Sequence, residues 1–141
     1  MEQKFIDIIK AHHVLTLATS HNNIPYCANV FYAFLEQEQY FVFLSDSKTT
    51  HAKHFADNSS AAASIFLETK TVGKIQGLQL QGVVYQPNGE LSSRAQRAYL
   101  QCFPYAILMS STLWIFEPTW AKLTDNRFGI GKKLIWEKSN E

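Results

Sequence analysis

The sequence predicts a mainly β protein, a small antiparallel barrel with two or three flanking helices. First, six or seven short segments are rich in branched and aromatic residues, and several alternate apolar with polar positions. Second, most of these segments follow one another through short polar turns, which favours pairing between consecutive antiparallel strands. Third, 141 residues with 46% apolar content are enough for one hydrophobic core. We therefore expect residues 1–141 to form a single domain.

The first half of the chain is expected to contain a helix, three strands and a second helix. Apolar residues at helical spacing predict the opening helix over 2–12. Residues 14–19 alternate like a strand with one buried face, and 26–35 form a longer strand rich in aromatic and branched residues. After a polar turn, residues 40–44 form a third strand, so the three strands should pair as an antiparallel meander. Helical spacing resumes at about 49–57.

The second half of the chain is expected to add strands and one longer helix. Gly77 and Gly82 within the fifth strand indicate a bulge or a close approach of another backbone. Pro104 ends the last helix. The predicted segments are strands at 61–67 and 75–85, a polar loop at 68–74, a helix at 90–103, strands at 113–116 and 120–124, a loop at 125–133 and a closing segment at 134–136.

Composition argues against several classes of partner. A formal charge of +1 gives no field that would favour nucleic acid or an anionic membrane. No apolar run approaches the roughly 20 residues that span a bilayer, and the N-terminus lacks the features of a signal peptide. Cys27 and Cys102 are far apart in the sequence. We expect them to be reduced, buried residues of a cytoplasmic protein.

The stretch 41–55 is the strongest candidate for a binding site. An apolar strand runs through a polar turn into a helix, and Ser47 or Thr49 is a natural N-cap. Lys48, Thr50 and the unpaired N–H groups of the helix start can converge on an anion, together with the side chains of Thr49 and His51. This pattern predicts a pocket for a phosphorylated ligand, although an ordinary capped surface helix is the more common use of such a sequence.

Other candidate groups carry weaker signals. His51 and His54 would share a helix face as a metal pair, but no third ligand stands at a matching offset, so we expect no metal site. The Gly-Ile-Gly-Lys-Lys run lacks the spacing of a nucleotide-binding loop. Lys132 and Lys133 can still approach an anion there, or remain solvated after a tight turn. No base accompanies either cysteine and no catalytic residue is assignable, so in an enzyme a bound cofactor would carry the reactivity.

The sequence also resembles a known superfamily. The segments that carry the resemblance are Thr-Leu-Ala-Thr (16–19), Ile-Pro-Tyr-Cys-Ala-Asn-Val-Phe-Tyr (24–32), Tyr-Phe-Val-Phe-Leu-Ser (40–45), Thr-Thr-His-Ala-Lys-His-Phe (49–55), Ala-Ala-Ala-Ser-Ile (61–65) and Gln-Gly-Val-Val-Tyr (81–85). In order and content they resemble the FMN-binding split barrels related to pyridoxamine 5′-phosphate oxidase, and the likeness covers residues 14–86. The tail, with Trp114 and residues 124–136, resembles an uncharacterised bacterial branch of that superfamily.

The resemblance implies a six-stranded split β-barrel that acts as a homodimer, with one FMN in each of two interface clefts. It implies that Ser45 lies beside the ring or ribityl chain and that Gln76 or Gln79 meets the same part of the cofactor. The implied ring neighbours on the second strand are Ala28, Asn29, Val30 and Phe31, and the implied phosphate motif is Thr49, Thr50 and His51.

The sequence departs from the family pattern at the charged positions. Ala28 replaces an arginine of the second strand, and Thr50 and His51 replace arginine and lysine at the helix start. Each lost charge-assisted bond to phosphate removes about 1.5–3 kcal/mol, which Lys48, Lys53, Lys132 and Lys133 are the candidates to offset. The family's arginine-rich substrate-binding tail has no counterpart, so pyridoxamine phosphate oxidase activity itself is not expected.

Three functional hypotheses remain open from the sequence. The first is a flavoprotein oxidoreductase that passes electrons between FMN and a small organic substrate. The second is a non-catalytic barrel that holds haem, pyridoxal phosphate or a phosphorylated metabolite, with His12, His51 or His54 as possible haem ligands. The third is an interaction protein with an empty cleft.

Overall fold

The computed structural model describes residues 1–139 as three helices and eight strands. The helices are α1 (Gln3–Ala11), α2 (Thr50–Asp57) and α3 (Gly89–Cys102). The strands are β1 (Val14–His21), β2 (Ile24–Phe31), β3 (Ala33–Leu35), β4 (Tyr40–Ser45), β5 (Ser60–Phe66), β6 (Gln76–Tyr85), β7 (Thr112–Asp125) and β8 (Lys133–Glu137). Short 3-10 turns occupy Val72–Lys74, Pro104–Leu108 and Asn126–Phe128.

All strand pairs are antiparallel, and the sheet curls into a barrel. Its strand order is β2-β1-β5-β6-β7-β4-β3, with β8 added beside β7. The first and last strands of this path, β2 and β3, are separated by Tyr32 alone. The sheet therefore curls until its two ends belong to one interrupted segment. The Tyr32 side chain is buried, and its hydroxyl donates a hydrogen bond to the carbonyl of Ile9 (2.6 Å), which ties the end of α1 to this junction.

The main core fills the barrel, and a smaller one lies outside it. Alternate residues of the strands point inward, among them Leu17, Phe43 and Phe116, each fully buried. Helices α1 and α2 add Phe5 and Phe55 to the same core. On the outer face, α3 packs against β3, β4 and β7. The buried residues of that second cluster are Ala33, Leu35, Val42, Ala95, Tyr99, Ala106 and Ile115.

The predicted mainly β, antiparallel barrel is confirmed, with two differences in its strands. The expected strand at 26–35 is two strands, because the chain changes partner from β1 to β4 at Tyr32. The expected strands at 113–116 and 120–124 are one strand, β7. Pro118 does not interrupt it because the residue faces Gly82 at a β-bulge, where the register of β6 and β7 shifts.

Gly82 occupies this bulge because no side chain fits there. A Cβ atom on Gly82 would overlap the carbonyl oxygen of Glu117 and lie 2.9 Å from the Cα of Pro118. The close backbone approach expected at Gly82 is thus confirmed. At Gly77 it is not found, since the nearest atom to an added Cβ is the Ile65 carbonyl oxygen at 4.0 Å.

The expected burial of the two cysteines is wrong. Cys27 and Cys102 are both free and exposed. Cys27 lies on the outer face of β2, opposite Ala18 of β1, because the alternation that turns Val30 inward turns Cys27 outward. Cys102 ends α3. Separately, no helix among residues 1–139 is long and apolar enough to cross a membrane.

Candidate functional site

The candidate site is the turn between β4 and α2. Thr49 is the N-cap of α2, since its hydroxyl oxygen accepts a hydrogen bond from the backbone N–H of Ala52 (3.3 Å). The same hydroxyl donates to the carbonyl of Asp46 (2.8 Å), and the Asp46 carboxylate accepts from the backbone N–H of Lys48 (2.9 Å). Asp46 and Thr49 therefore fix the turn, and of the two predicted cap residues Thr49 has this role.

The start of α2 has two unpaired backbone donors. Within residues 1–139 the backbone N–H groups of Thr50 and His51 have no hydrogen-bond acceptor. The positive end of the helix dipole adds to their attraction for an anion. The side chains of Lys48 and Thr50 are exposed beside them, but so is the carboxylate of Asp46. The turn can therefore bind an anion through its backbone donors, while the charges of Lys48 and Asp46 largely cancel.

The side chains of Ser45 and His51 face each other beneath this turn. His51 is only 9% exposed, and its Nε2 lies 2.7 Å from the Ser45 hydroxyl and 3.3 Å from that of Thr49. Burial, and then the nearby His54, lower the pKa of His51, so its ring is neutral at pH 7. The indole N–H of Trp114 donates to the Ser45 carbonyl (3.2 Å). The His51 side chain thus stabilises the turn through its contacts with Ser45 and Thr49, and it adds no positive charge.

The second strand provides the surface that the resemblance assigns to a flat ring. Val30 points into the core, and Ala28, two residues before it on the same face, is half-buried. The side-chain oxygen of Asn29 accepts a hydrogen bond from the Thr16 hydroxyl (2.8 Å) on the outer face. Phe31 is 46% exposed and stacks between His13 and Phe103, with ring centroids 6.0 and 5.4 Å away. The four residues therefore belong to two faces of β2.

The remaining candidate residues lie away from the turn. Ser45 pairs with Thr112 at one end of the 14-residue strand β7, and Lys133 pairs with Thr124 near the other end. Lys132 and Gln76 are at that far end as well, the latter opposite Asp125. Within one chain these three residues are not brought to the start of α2.

Gln79 stands on the outer face in the same cross-strand row as Asn29. The register runs from Asn29 through Thr16 and Ser64 to Gln79, so three strand spacings, about 14 Å, separate the two amides.

A pair of histidines near the turn was not foreseen. The His54 ring lies beside that of His21, with centroids 5.9 Å apart, and its Nδ1 is 3.0 Å from the Thr19 hydroxyl. Tyr26 meets His54 edge-on, and Asp57 lies 3.7 Å from His21. The sequence analysis instead paired His54 with His51, because those two share a helix. The described part of the chain contains no group of three side chains placed to hold a metal ion.

Comparison with known proteins gives close relatives and distant structural matches. No protein-family model matches the chain. The UPF0306 protein YhbP of Escherichia fergusonii is 37% identical over 128 residues, which cover 91% of this chain and 87% of that protein. A UPF0306 protein of Klebsiella pneumoniae is 32% identical over 130 residues, which cover 92% of this chain and 88% of that protein.

Two solved structures illustrate the fold. A haem-binding protein from Mycobacterium smegmatis matches 92% of this chain with a TM-score of 0.80 and 20% identity, and this chain spans about half (55%) of its length. A pyridoxamine 5′-phosphate oxidase-related, FMN-binding protein from Nostoc punctiforme matches 99% of this chain and 91% of its own, with a TM-score of 0.71 and 13% identity. The chain has the split-barrel fold of these pyridoxamine 5′-phosphate oxidase-like proteins, and by its identity with YhbP it belongs to the UPF0306 family.

Proposed function

We propose that the whole chain is one FMN-binding domain that works as a homodimeric oxidoreductase, with a small organic molecule as its substrate. When bound, FMN would supply the electron-transfer chemistry. The observation that carries the proposal is the start of α2, where two unpaired N–H groups and an exposed lysine meet at the end of a barrel strand. The likeness to the FMN-binding Nostoc protein supports the choice of cofactor.

The residues present would hold the phosphate through the backbone more than through charge. The N–H groups of Thr50 and His51, the Thr50 hydroxyl and the Lys48 ammonium are the available donors. Ser45 and His51, bonded to each other, would keep the turn in position. The exposed Asp46 carboxylate opposes a nearby anion. We therefore expect weaker binding than in a site with arginine, by about one to two orders of magnitude for each missing charge-assisted bond.

Exposed apolar side chains of β2 favour a homodimer in this proposal. Ile24 and Tyr26, which alternate in register with Val30, are 66% and 42% exposed, and Phe31 on the outer face is 46% exposed. Exposed apolar surface of this kind is typical of protein interfaces. Because Lys132 and Lys133 lie toward the far end of β7 from Ser45, they would reach a cofactor only from the second copy. Sedimentation equilibrium should give twice the chain mass.

The test is FMN titration of variants that separate the backbone donor from the side chain. Thr50 is the first residue of α2, and Thr49 has φ −67° and ψ 154°, which a following proline allows. Thr50→Pro therefore deletes one N–H group at little cost to the helix, whereas Thr50→Ala deletes only the hydroxyl. We expect Thr50→Pro to weaken FMN binding at least tenfold relative to Thr50→Ala. If the two variants bound FMN with equal affinity, the Thr50 N–H would not bind the phosphate.

The contribution of charge has its own matched pair. Lys48→Ala should weaken FMN binding about tenfold at low salt. Lys53→Ala removes another exposed lysine, which lies within α2 and away from its unpaired N–H groups, and it should change affinity by less than about twofold. An absorbance spectrum of the protein purified without added cofactor provides the first measurement. A colourless protein whose addition leaves FMN fluorescence unquenched would refute the proposal.

Haem is the second candidate, because His21 and His54 lie side by side next to Tyr26. The likeness to the haem-binding mycobacterial protein favours the same ligand. Thermal-shift measurements with FMN, haemin and pyridoxal phosphate distinguish the cofactors. Stabilisation by haemin alone, lost in His54→Ala and retained in His13→Ala, would establish haem and overturn the FMN proposal. Stabilisation by none of the three would support the empty-cleft hypothesis.

A further inference from the structure

A cavity on the outer face of the barrel lies apart from the proposed FMN site. It lies between α3, the loop that follows α3 and the adjoining ends of β4 and β7, is open to solvent on one side, and has a volume of about 290 Å³. We call it the α3 cavity. Its lining residues are Leu44, Ser92, Gln96, Tyr99, Leu100, Ala106, Ile107, Met109, Ser111 and Leu113. This volume is close to the lower end of the range for small-molecule sites.

The alternation of the strands separates this cavity from the start of α2. Leu44 points outward into the cavity, whereas the next residue, Ser45, points inward to His51. On β7, Leu113 lines the cavity and Trp114 packs in the barrel core. A molecule in the α3 cavity would therefore lie on the opposite face of the β4–β7 sheet from the Ser45–His51 pair.

The chemistry of the lining indicates an uncharged ligand. None of the residues that line the cavity carries a charge, so a bound ion would lose its hydration without a compensating partner. Six of the ten lining residues are leucine, isoleucine, methionine or alanine, and polar atoms are exposed between them. Ser92, Gln96, Tyr99 and Ser111 are the polar lining residues.

The hydroxyl of Tyr99 is the polar group with the clearest role. Tyr99 is 6% exposed, and burial is the main factor that raises the pKa of its hydroxyl to about 12, so the group keeps its proton. Its hydroxyl has no hydrogen-bond partner within residues 1–139, although Tyr32 and Tyr85 each donate to a protein oxygen. The Tyr99 oxygen is not among the fully buried unpaired atoms of residues 1–139, so water can accept its hydrogen bond in the cavity. A ligand with an acceptor atom would take the place of that water.

The loop beside the cavity exposes more apolar surface than the fold requires. Ile107, Leu108 and Met109 are 74%, 88% and 51% exposed, and two of them also line the cavity. An apolar guest would cover part of this surface.

We propose that the α3 cavity binds a small, uncharged and mainly apolar molecule that carries a hydrogen-bond acceptor, such as an aromatic ketone or alcohol, with the acceptor on the Tyr99 hydroxyl. This is a second binding site, which does not depend on FMN. The probe is prodan, an uncharged naphthalene ketone whose fluorescence responds to its surroundings, added to the full chain. A naphthalene carboxylate of similar size tests whether the uncharged lining rejects a charged ligand.

Two variants of α3 locate the probe. Gln96 is exposed and lines the cavity, so Gln96→Trp fills the cavity from a position that should tolerate the change. Arg97→Trp makes the same replacement at the next exposed position, which lines a different surface depression. We expect saturable binding of prodan, at least tenfold weaker in Gln96→Trp and within about twofold of wild type in Arg97→Trp. Tyr99→Phe should weaken binding about two- to tenfold.

Two further binding measurements test the chemistry of the site. The carboxylate should bind at least tenfold more weakly than prodan, and saturating FMN should leave the affinity for prodan unchanged. Absence of saturable prodan binding would overturn the proposal, as would equal loss in both tryptophan variants or equal affinity for the carboxylate. Unchanged affinity for prodan in Tyr99→Phe would show that the Tyr99 hydroxyl does not bind the ligand. Displacement of prodan by FMN would mean that the two sites are one.

Discussion

Gly82→Ala should destabilise the fold more than its single added methyl group suggests. The new Cβ would overlap the carbonyl oxygen of Glu117 and lie 2.9 Å from the Glu117 carbonyl carbon and the Pro118 Cα. All three are backbone atoms of β7, so no side-chain rotation relieves the clash. The two strands must separate at the bulge that sets their register. Overpacking ordinarily costs about 1–3 kcal/mol, and we expect about 3 kcal/mol here because only the backbone can move.

Urea unfolding followed by tryptophan fluorescence measures this cost. With a dependence of about 2 kcal/mol per molar urea, the midpoint should fall by roughly 1.5 M. Gly73→Ala is the matched control, because an added Cβ there has no atom within 4 Å. It should be neutral or stabilise the protein by up to about 1 kcal/mol. If Gly82→Ala unfolded within about 0.5 kcal/mol of wild type, the rigid contact between β6 and β7 would be refuted.

Three further predictions concern α2. Thr49→Ala should cost about 1 kcal/mol of stability in urea unfolding, because it removes the helix cap, and Ser47→Ala should cost nothing measurable. The lowered pKa of His51 means that the unfolded chain binds more protons below about pH 6.5. Stability should therefore fall from pH 7.5 to 5.5, and an unchanged slope in His51→Gln would contradict this. Phe55→Ala should cost about 3–5 kcal/mol in the same assay because Phe55 is buried against Trp114 (centroids 4.5 Å apart), whereas the exposed Phe66→Ala should not.

The parts of the fold that depend on local sequence were predictable. The alternation in β1 and β4 and the hydroxyl before α2 placed these elements within about two residues of their observed bounds. The continuity of β7 was not predictable from its own residues. A proline argues against a strand, and what permits it is the bulge at Gly82, more than 30 residues earlier in the chain. The break at Tyr32 likewise depends on which strand each half pairs with.

The candidate site shows the same division. Thr49 was identifiable as a cap because capping is local. The inward orientation of His51 depends on Ser45, whose carbonyl accepts a hydrogen bond from Trp114, 69 residues later in the chain. The pairing of His54 with His21 arises because α2 packs on β1. The cysteines were misplaced because apolar neighbours were taken to mean burial, although alternation turned Cys27 outward.

The position of β7 between β6 and β4 has a consequence for synthesis of the chain. β4 is complete at residue 45, but its second neighbour ends only at residue 125, which a ribosome reaches roughly ten seconds later. Throughout that interval one edge of β4, with Phe41, Val42 and Phe43, has no β7 to pair with, and from residue 85 onward the same is true of one edge of β6. A nascent or truncated chain that stops before residue 112 therefore exposes unpaired strand edges and apolar residues, which chaperones would have to cover. We expect such a fragment, once released, to aggregate and not to fold into a smaller protein.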